Sequence, residues 1–98
     1  MNSERGNTVG IKQAFNKMLS DYHIDSKYKA TIIKKLWLSI MGKTVASRTG
    51  KITLYNKKLK VKINSGPLKN ELNMSKSKVM DVLEKELGKG VIEDIVFI

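Results

Sequence analysis

The sharpest alternation of apolar and polar positions runs from Lys51 to Asn64. Ile52 and Leu54 alternate with Thr53 and Tyr55, and Leu59, Val61 and Ile63 alternate with Lys58, Lys60 and Lys62. A period of two sends neighbouring side chains to opposite faces, so the stretch predicts two half-buried strands. A two-residue turn at Asn56-Lys57 pairs Tyr55 with Lys58, Leu54 with Leu59, Thr53 with Lys60 and Ile52 with Val61. Each apolar residue then meets an apolar one, and a slip of one residue would send the lysines into the core. Asn-Lys is a weaker turn signal than Asn-Gly, but Asn56 tolerates a positive φ.

On either side of this hairpin the period lengthens to that of a helix. Thr8 caps a predicted first helix that runs to about Tyr22, with Val9, Phe15, Met18, Leu19 and Tyr22 on one face. Residues 21–26 are a polar break containing His23, and Asp25 or Ser26 caps the next helix. That helix runs from about Lys27 to Met41, with Ile33, Leu36, Trp37 and Ile40 as its apolar stripe and Lys27, Lys34 and Lys35 off it. Gly42 ends it in a left-handed conformation. Residues 43–50 connect to the hairpin, with room for one helical turn around Val45 and Ala46.

Beyond the hairpin, Ser65-Gly66-Pro67 opens a third helix, since proline is allowed in a first turn. Leu68, Leu72, Val79, Val82, Leu83 and Leu87 mark it, Gly88 stops it, and the weakly helical residues 73–78 are a place for a kink. Residues 91–98 (VIEDIVFI) close the chain as a third strand. Its β-branched residues on both faces predict cover on both sides or contact with another chain. The expected architecture is α+β, in the order α-α-β-β-α-β, with a three-stranded sheet and helices packed on one face. Residues 1–8 read as a flexible tail and residues 9–98 as a single domain.

Composition narrows the chemistry. The 98 residues suffice for one small core. No cysteine is present, which excludes a disulfide scaffold, a thiol nucleophile and Cys-based zinc or iron–sulfur sites. One histidine, His23, gives a metal site or a Ser-His relay almost no material. There is no Walker-type loop and no G-x-G-x-x-G. Asp81, Glu84, Glu86, Glu93 and Asp94 lie among lysines and read as solvated charge. The expectation is a protein that is not an enzyme, with no catalytic residues, no cofactor, no metal and no small-molecule substrate. The polar start is not a signal peptide, and no apolar run of 18 residues exists to span a membrane. A cytoplasmic domain without membrane contact is expected.

Charge adds the partner class. Nineteen Lys and Arg against nine Asp and Glu give a net charge of +10. Such an excess is either a solvated surface or the footprint of a polyanion partner. Placement favours the second. Lys58, Lys60 and Lys62 project from one side of one strand at steps of ~6.6 Å. That step is close to the phosphate repeat of a stretched single strand, and Tyr55 beside them offers a stacking platform. Lys57 at the turn, with Lys51, Lys43 and Arg48 from the connector, extends the candidate nucleic-acid-binding set. The competing reading is an exposed sheet face whose lysines prevent edge aggregation. Trp37 is expected in the core, because its spacing places it on the apolar stripe. The aromatic motifs of an RNA-recognition motif are missing, and Gly42-Lys43-Thr44-Val45 begins a Gly-x-x-Gly loop without finishing it.

The ordered set Leu36-Trp37, Gly42, Val45-Ala46, Thr49, Leu59-x-Val61-x-Ile63 and Ser65 resembles the DciA-type family of bacterial replicative-helicase operators. The match continues through Leu68, Glu71-Leu72, Leu87-Gly88 and Ile92-x-Asp94-Ile95-x-Phe97, and covers roughly Ile11 to Ile98. The resemblance implies a KH-like domain that binds nucleic acid and helps load the DnaB-type helicase when replication starts. It carries over no catalytic residues. Many members of that family have a long extension that takes part in DNA and helicase contacts, whereas here the chain stops at Ile98. Nucleic-acid binding is therefore expected more firmly than full loading activity. The expected function is a non-enzymatic accessory of the replicative helicase on single-stranded or forked DNA. An RNA-binding factor, or a protein adaptor that sets its basic face on an acidic partner, is the alternative.

Overall fold

The computed structural model describes residues 17–21 and 23–98. The hairpin forms in the register the alternation requires. β1 (Thr49–Tyr55) and β2 (Lys58–Ile63) are antiparallel, with Tyr55 opposite Lys58, Leu54 opposite Leu59, Thr53 opposite Lys60 and Ile52 opposite Val61. Asn56 and Lys57 adopt φ of 49° and 63°. Two positive values make a type I′ turn, whose twist matches that of the strands it joins. Thr49 pairs with Ile63, so one extra β1 residue bulges between Thr49 and Ile52. The alternation of β2 is complete: each lysine is exposed, and Leu59, Val61 and Ile63 are buried. Burying three such side chains contributes about 1.5–3 kcal/mol each. A slip by one residue would trade all three for lysines, which is why this register wins.

β3 (Asp94–Phe97) lies parallel to β2 on its other side, giving the order β1-β2-β3. A parallel neighbour needs a crossover, and helices supply it. α1 (Ser26–Met41) and α2 (Lys43–Ser47) precede the hairpin, while α3 (Gly66–Met74) and α4 (Lys76–Leu87) connect β2 to β3. Ile52, Leu59, Val61, Ile63, Ile95 and Phe97 form the buried face of the sheet. Against it pack Ile32, Ile33 and Trp37 of α1, Leu72 of α3, and Val79, Leu83 and Leu87 of α4. The described helices thus cover one face.

Local signals set the helix ends. The Asp25 carboxylate accepts from the Lys27 N–H at 3.1 Å and caps α1. The Ser65 hydroxyl does the same for the Leu68 N–H at 3.4 Å, with Pro67 in the first turn of α3. Gly42 and Gly88 stop their helices at φ of 86° and 100°. Their ψ values, 168° and 153°, are extended rather than left-handed helical. At Gly42 the reason is that α2 begins at the next residue, so the chain must leave the first helix axis at once.

Three further expectations change. The third helix is two, α3 and α4, broken at Ser75, whose N–H is shared between the carbonyls of Glu71 and Leu72. The helical turn expected around Val45 and Ala46 forms as α2, and the described elements run α-α-β-β-α-α-β. Val82 is 40% exposed. Val79, Leu83 and Leu87, four apart, take the line that faces the core and leave Val82 at its margin. The last strand is shorter than residues 91–98, and the described helices cover one of its faces; on the other, Val96 is half-buried and Ile98 is exposed beside the lysines. The tail at residues 1–8, the Thr8 cap, and Val9, Phe15 and Tyr22 lie outside the described residues. Residues 17–20 are helical, with Leu19 buried and Met18 packed against the core. Among the described residues no helix is long and apolar enough to cross a membrane.

Candidate nucleic-acid interface

The face of the sheet away from the helices carries the charge. Lys58, Lys60 and Lys62 stand in one row on the central strand, all exposed. On β1, Thr53 faces Lys60 and Tyr55 faces Lys58, and the Tyr55 ring is 76% exposed. On β3, Val96 lies opposite Lys60 and Asp94 opposite Lys58. Neighbouring strands are ~4.8 Å apart, so these side chains form one continuous surface. Lys51, Thr53, Lys60, Lys62 and Ile98 line a shallow depression of about 430 Å³. Thr53, Tyr55, Lys58, Lys60 and Val96 line the next, of about 220 Å³.

The lysines hold their charge outward. Asp94, the nearest acid in register, turns its carboxylate to the Ile95 N–H at 2.8 Å instead of to Lys58. The contact between the His23 ring and the Asp21 carboxylate, at 3.1 Å, lies in the turn before α1 and leaves the row untouched. Three cations with no carboxylate bound among the described residues, next to an exposed ring, can hold a polyanion and stack one base. The described residues contain no group of three or more His, Asp or Glu able to hold a metal ion.

The structure brings five of the eight candidate residues together: Lys51, Tyr55, Lys58, Lys60 and Lys62. Arg48 sits at the end of the row, where its carbonyl accepts from the Asn64 N–H at 2.7 Å. Lys57 does not join them. The turn carries it to a separate cleft with Leu19, Ser20, Lys29 and Gly90. Lys43 is the first residue of α2 and lines neither of these two depressions.

Val96 and Ile98 are parts of this face that the hairpin pattern does not reveal. The β-branched residues on both sides of the last strand were their signal. Lys27 and Lys34 were also passed over. Seven residues apart on α1, they share a helix face and line a groove of about 440 Å³ beside β1 with Lys51.

No curated protein and no solved structure matches the chain. A family model does, described as Dna[CI] antecedent, DciA, and it matches residues 10–97. That span holds the hairpin, every strand and all four described helices, so the basic face is part of the family's own domain. The chain belongs to the DciA family, which is associated with loading the DnaB-type replicative helicase.

Proposed function

We propose that this domain binds single-stranded DNA on the open sheet face and serves the DnaB-type helicase as a non-enzymatic accessory. The observation that carries the reading is the row Lys58-Lys60-Lys62 on the central strand, flanked by the exposed Tyr55 and with no carboxylate partner among the described residues. Steps of ~6.6 Å match a stretched strand, whose phosphates meet the ammonium groups while one base lies on Tyr55. The affinity comes from released counterions and the stacking adds a sequence-tolerant increment.

A KH-like arrangement is supported by the two successive helices between β2 and β3. KH domains approach phosphates through a Gly-x-x-Gly loop. Here the junction reads Met74-Ser75-Lys76, without glycine, so the phosphate contacts are assigned to the lysine row. DNA is preferred to RNA because of the family's place in replication. The side chains themselves meet phosphates and ring faces common to both.

Titrating labelled single-stranded DNA, single-stranded RNA of the same sequence and duplex DNA at two salt concentrations tests the reading. Single-stranded DNA should bind best, with log affinity falling against log salt by about 0.7 per phosphate contact. Absence of single-strand binding at low salt would sink the proposal, and tighter binding of RNA would change the partner.

A further inference from the structure

The two edges of the sheet are finished differently. Just past β3, the Ile98 backbone faces β2, donating to the Val61 carbonyl at 2.9 Å and accepting from the Ile63 N–H at 2.8 Å. The backbone groups of Ile95 and Phe97 therefore point away from β2, and both residues have local partners. The Ile95 N–H donates to the Asp94 carboxylate. The Asn73 side chain donates to the Phe97 carbonyl at 3.0 Å and accepts from its N–H at 3.3 Å. Asn73 thus stands where another strand would pair, and this edge is closed.

β1 has no such guard among the described residues. In a two-residue hairpin Tyr55 and Lys58 exchange the first pair of hydrogen bonds, and Thr53 and Lys60 the next. Ile52 and Leu54 then direct their N–H and C=O groups away from β2, into the groove between β1 and α1. Exposed Lys27 and Lys34 stand on the α1 wall, about 10.5 Å apart along the axis. Exposed Lys51 stands on the strand side, and no acid lines the groove.

From this geometry we infer that the β1 edge takes an extended acidic peptide of a partner protein as a fourth strand. Its carboxylates meet Lys27, Lys34 and Lys51, and its backbone pairs with Ile52 and Leu54. The chemistry selects peptide over nucleic acid. The open edge presents donors and acceptors in alternation, which a peptide backbone matches. A phosphodiester accepts only, and would leave the Ile52 and Leu54 carbonyls unpaired. The site shares Lys51 with the open sheet face but otherwise lies beyond the edge of β1 and uses the α1 face.

The test uses the wild-type chain and a capped nonapeptide of alternating glutamate and threonine. Amide shifts should move at Ile52 and Leu54, and their hydrogen exchange should slow. N-methylating one set of alternate peptide amides should weaken binding about tenfold or more, and methylating the other set should not. Lys27→Glu with Lys34→Glu should weaken the peptide comparably, while single-stranded DNA still shifts the Lys58–Lys62 amides.

Four results would overturn the inference. The peptide fails to bind at low salt, or both methylated forms bind as the parent does. Oligothymidylate moves the Ile52 and Leu54 amides as the peptide does. The free protein self-associates with the Leu54 amide already protected, which would make a second copy the occupant. Loss of DNA binding by the lysine row would leave this inference standing, so the two fail separately.

Discussion

The indole N–H of Trp37 donates a 2.9 Å hydrogen bond to the hydroxyl of Thr49, whose own proton goes to the Val45 carbonyl at 2.7 Å. Three elements meet in this relay: α1 supplies the ring, β1 the hydroxyl and α2 the carbonyl. Trp37 is only 2% exposed, so its N–H has no solvent to fall back on. The ring fills the core, and the hydroxyl keeps its one polar atom satisfied.

Replacing Thr49 by Val keeps the shape and removes the acceptor. The variant should lose about 1–3 kcal/mol, the cost of a buried unpaired donor. Trp37→Ala should lose roughly 3–5 kcal/mol, as for other large buried aromatics. Urea denaturation of both variants checks this. A Trp37→Ala protein as stable as wild type that no longer binds DNA would make Trp37 a surface stacking residue instead.

Asn73 gives a second expectation. Its amide is both donor and acceptor for Phe97, 24 residues further along the chain. Asn73→Ala should cost about 1–3 kcal/mol and speed exchange of the Phe97 amide. Asn73→Asp should not rescue it, because a carboxylate can still accept from the N–H but faces the carbonyl with no proton to give. Slow Phe97 exchange in the Ala variant would show that the edge is closed by something else.

These two residues also show what the chain reveals on reading and what it hides. The hairpin was legible because the period of two, the turn and the lysine row are contiguous, and only one register keeps the lysines dry of the core. Trp37 was legible through its place on the stripe. The break at Ser75 was legible only as a weakness. Asn73 commits its side chain to a backbone 24 residues away, which no local window contains. The groove at Lys27 and Lys34 likewise exists only once α1 is laid beside β1. Lys43 and Lys57 were grouped with the row by closeness in sequence. Neither lines the two depressions of the row: Lys43 opens a helix and Lys57 sits in a type I′ turn.

Lys57 offers a way to separate turn geometry from binding. Its φ of 63° is a left-handed value that costs a residue with a Cβ about 1–2 kcal/mol. Glycine removes that cost and adds some unfolded-state entropy. Lys57→Gly should therefore stabilise the domain by up to about 1 kcal/mol, read as a higher thermal midpoint. Single-strand affinity should fall no more than the loss of one distant charge implies. A fall as large as that from removing Lys60 would return Lys57 to the binding site.

The measurement that bears most directly on the central claim is the salt dependence of single-strand binding by the variant Lys58→Ser, Lys60→Ser, Lys62→Ser. All three side chains are exposed, so the fold should persist with a nearly unchanged denaturation midpoint. Affinity should drop, and the slope of log affinity against log salt should shrink by about 2, at ~0.7 for each lost phosphate contact. Tyr55→Ala should instead cost about 1–3 kcal/mol of binding with little change in slope, as stacking does. A folded triple variant that binds single-stranded DNA as tightly as the parent, with the same slope, would contradict the account.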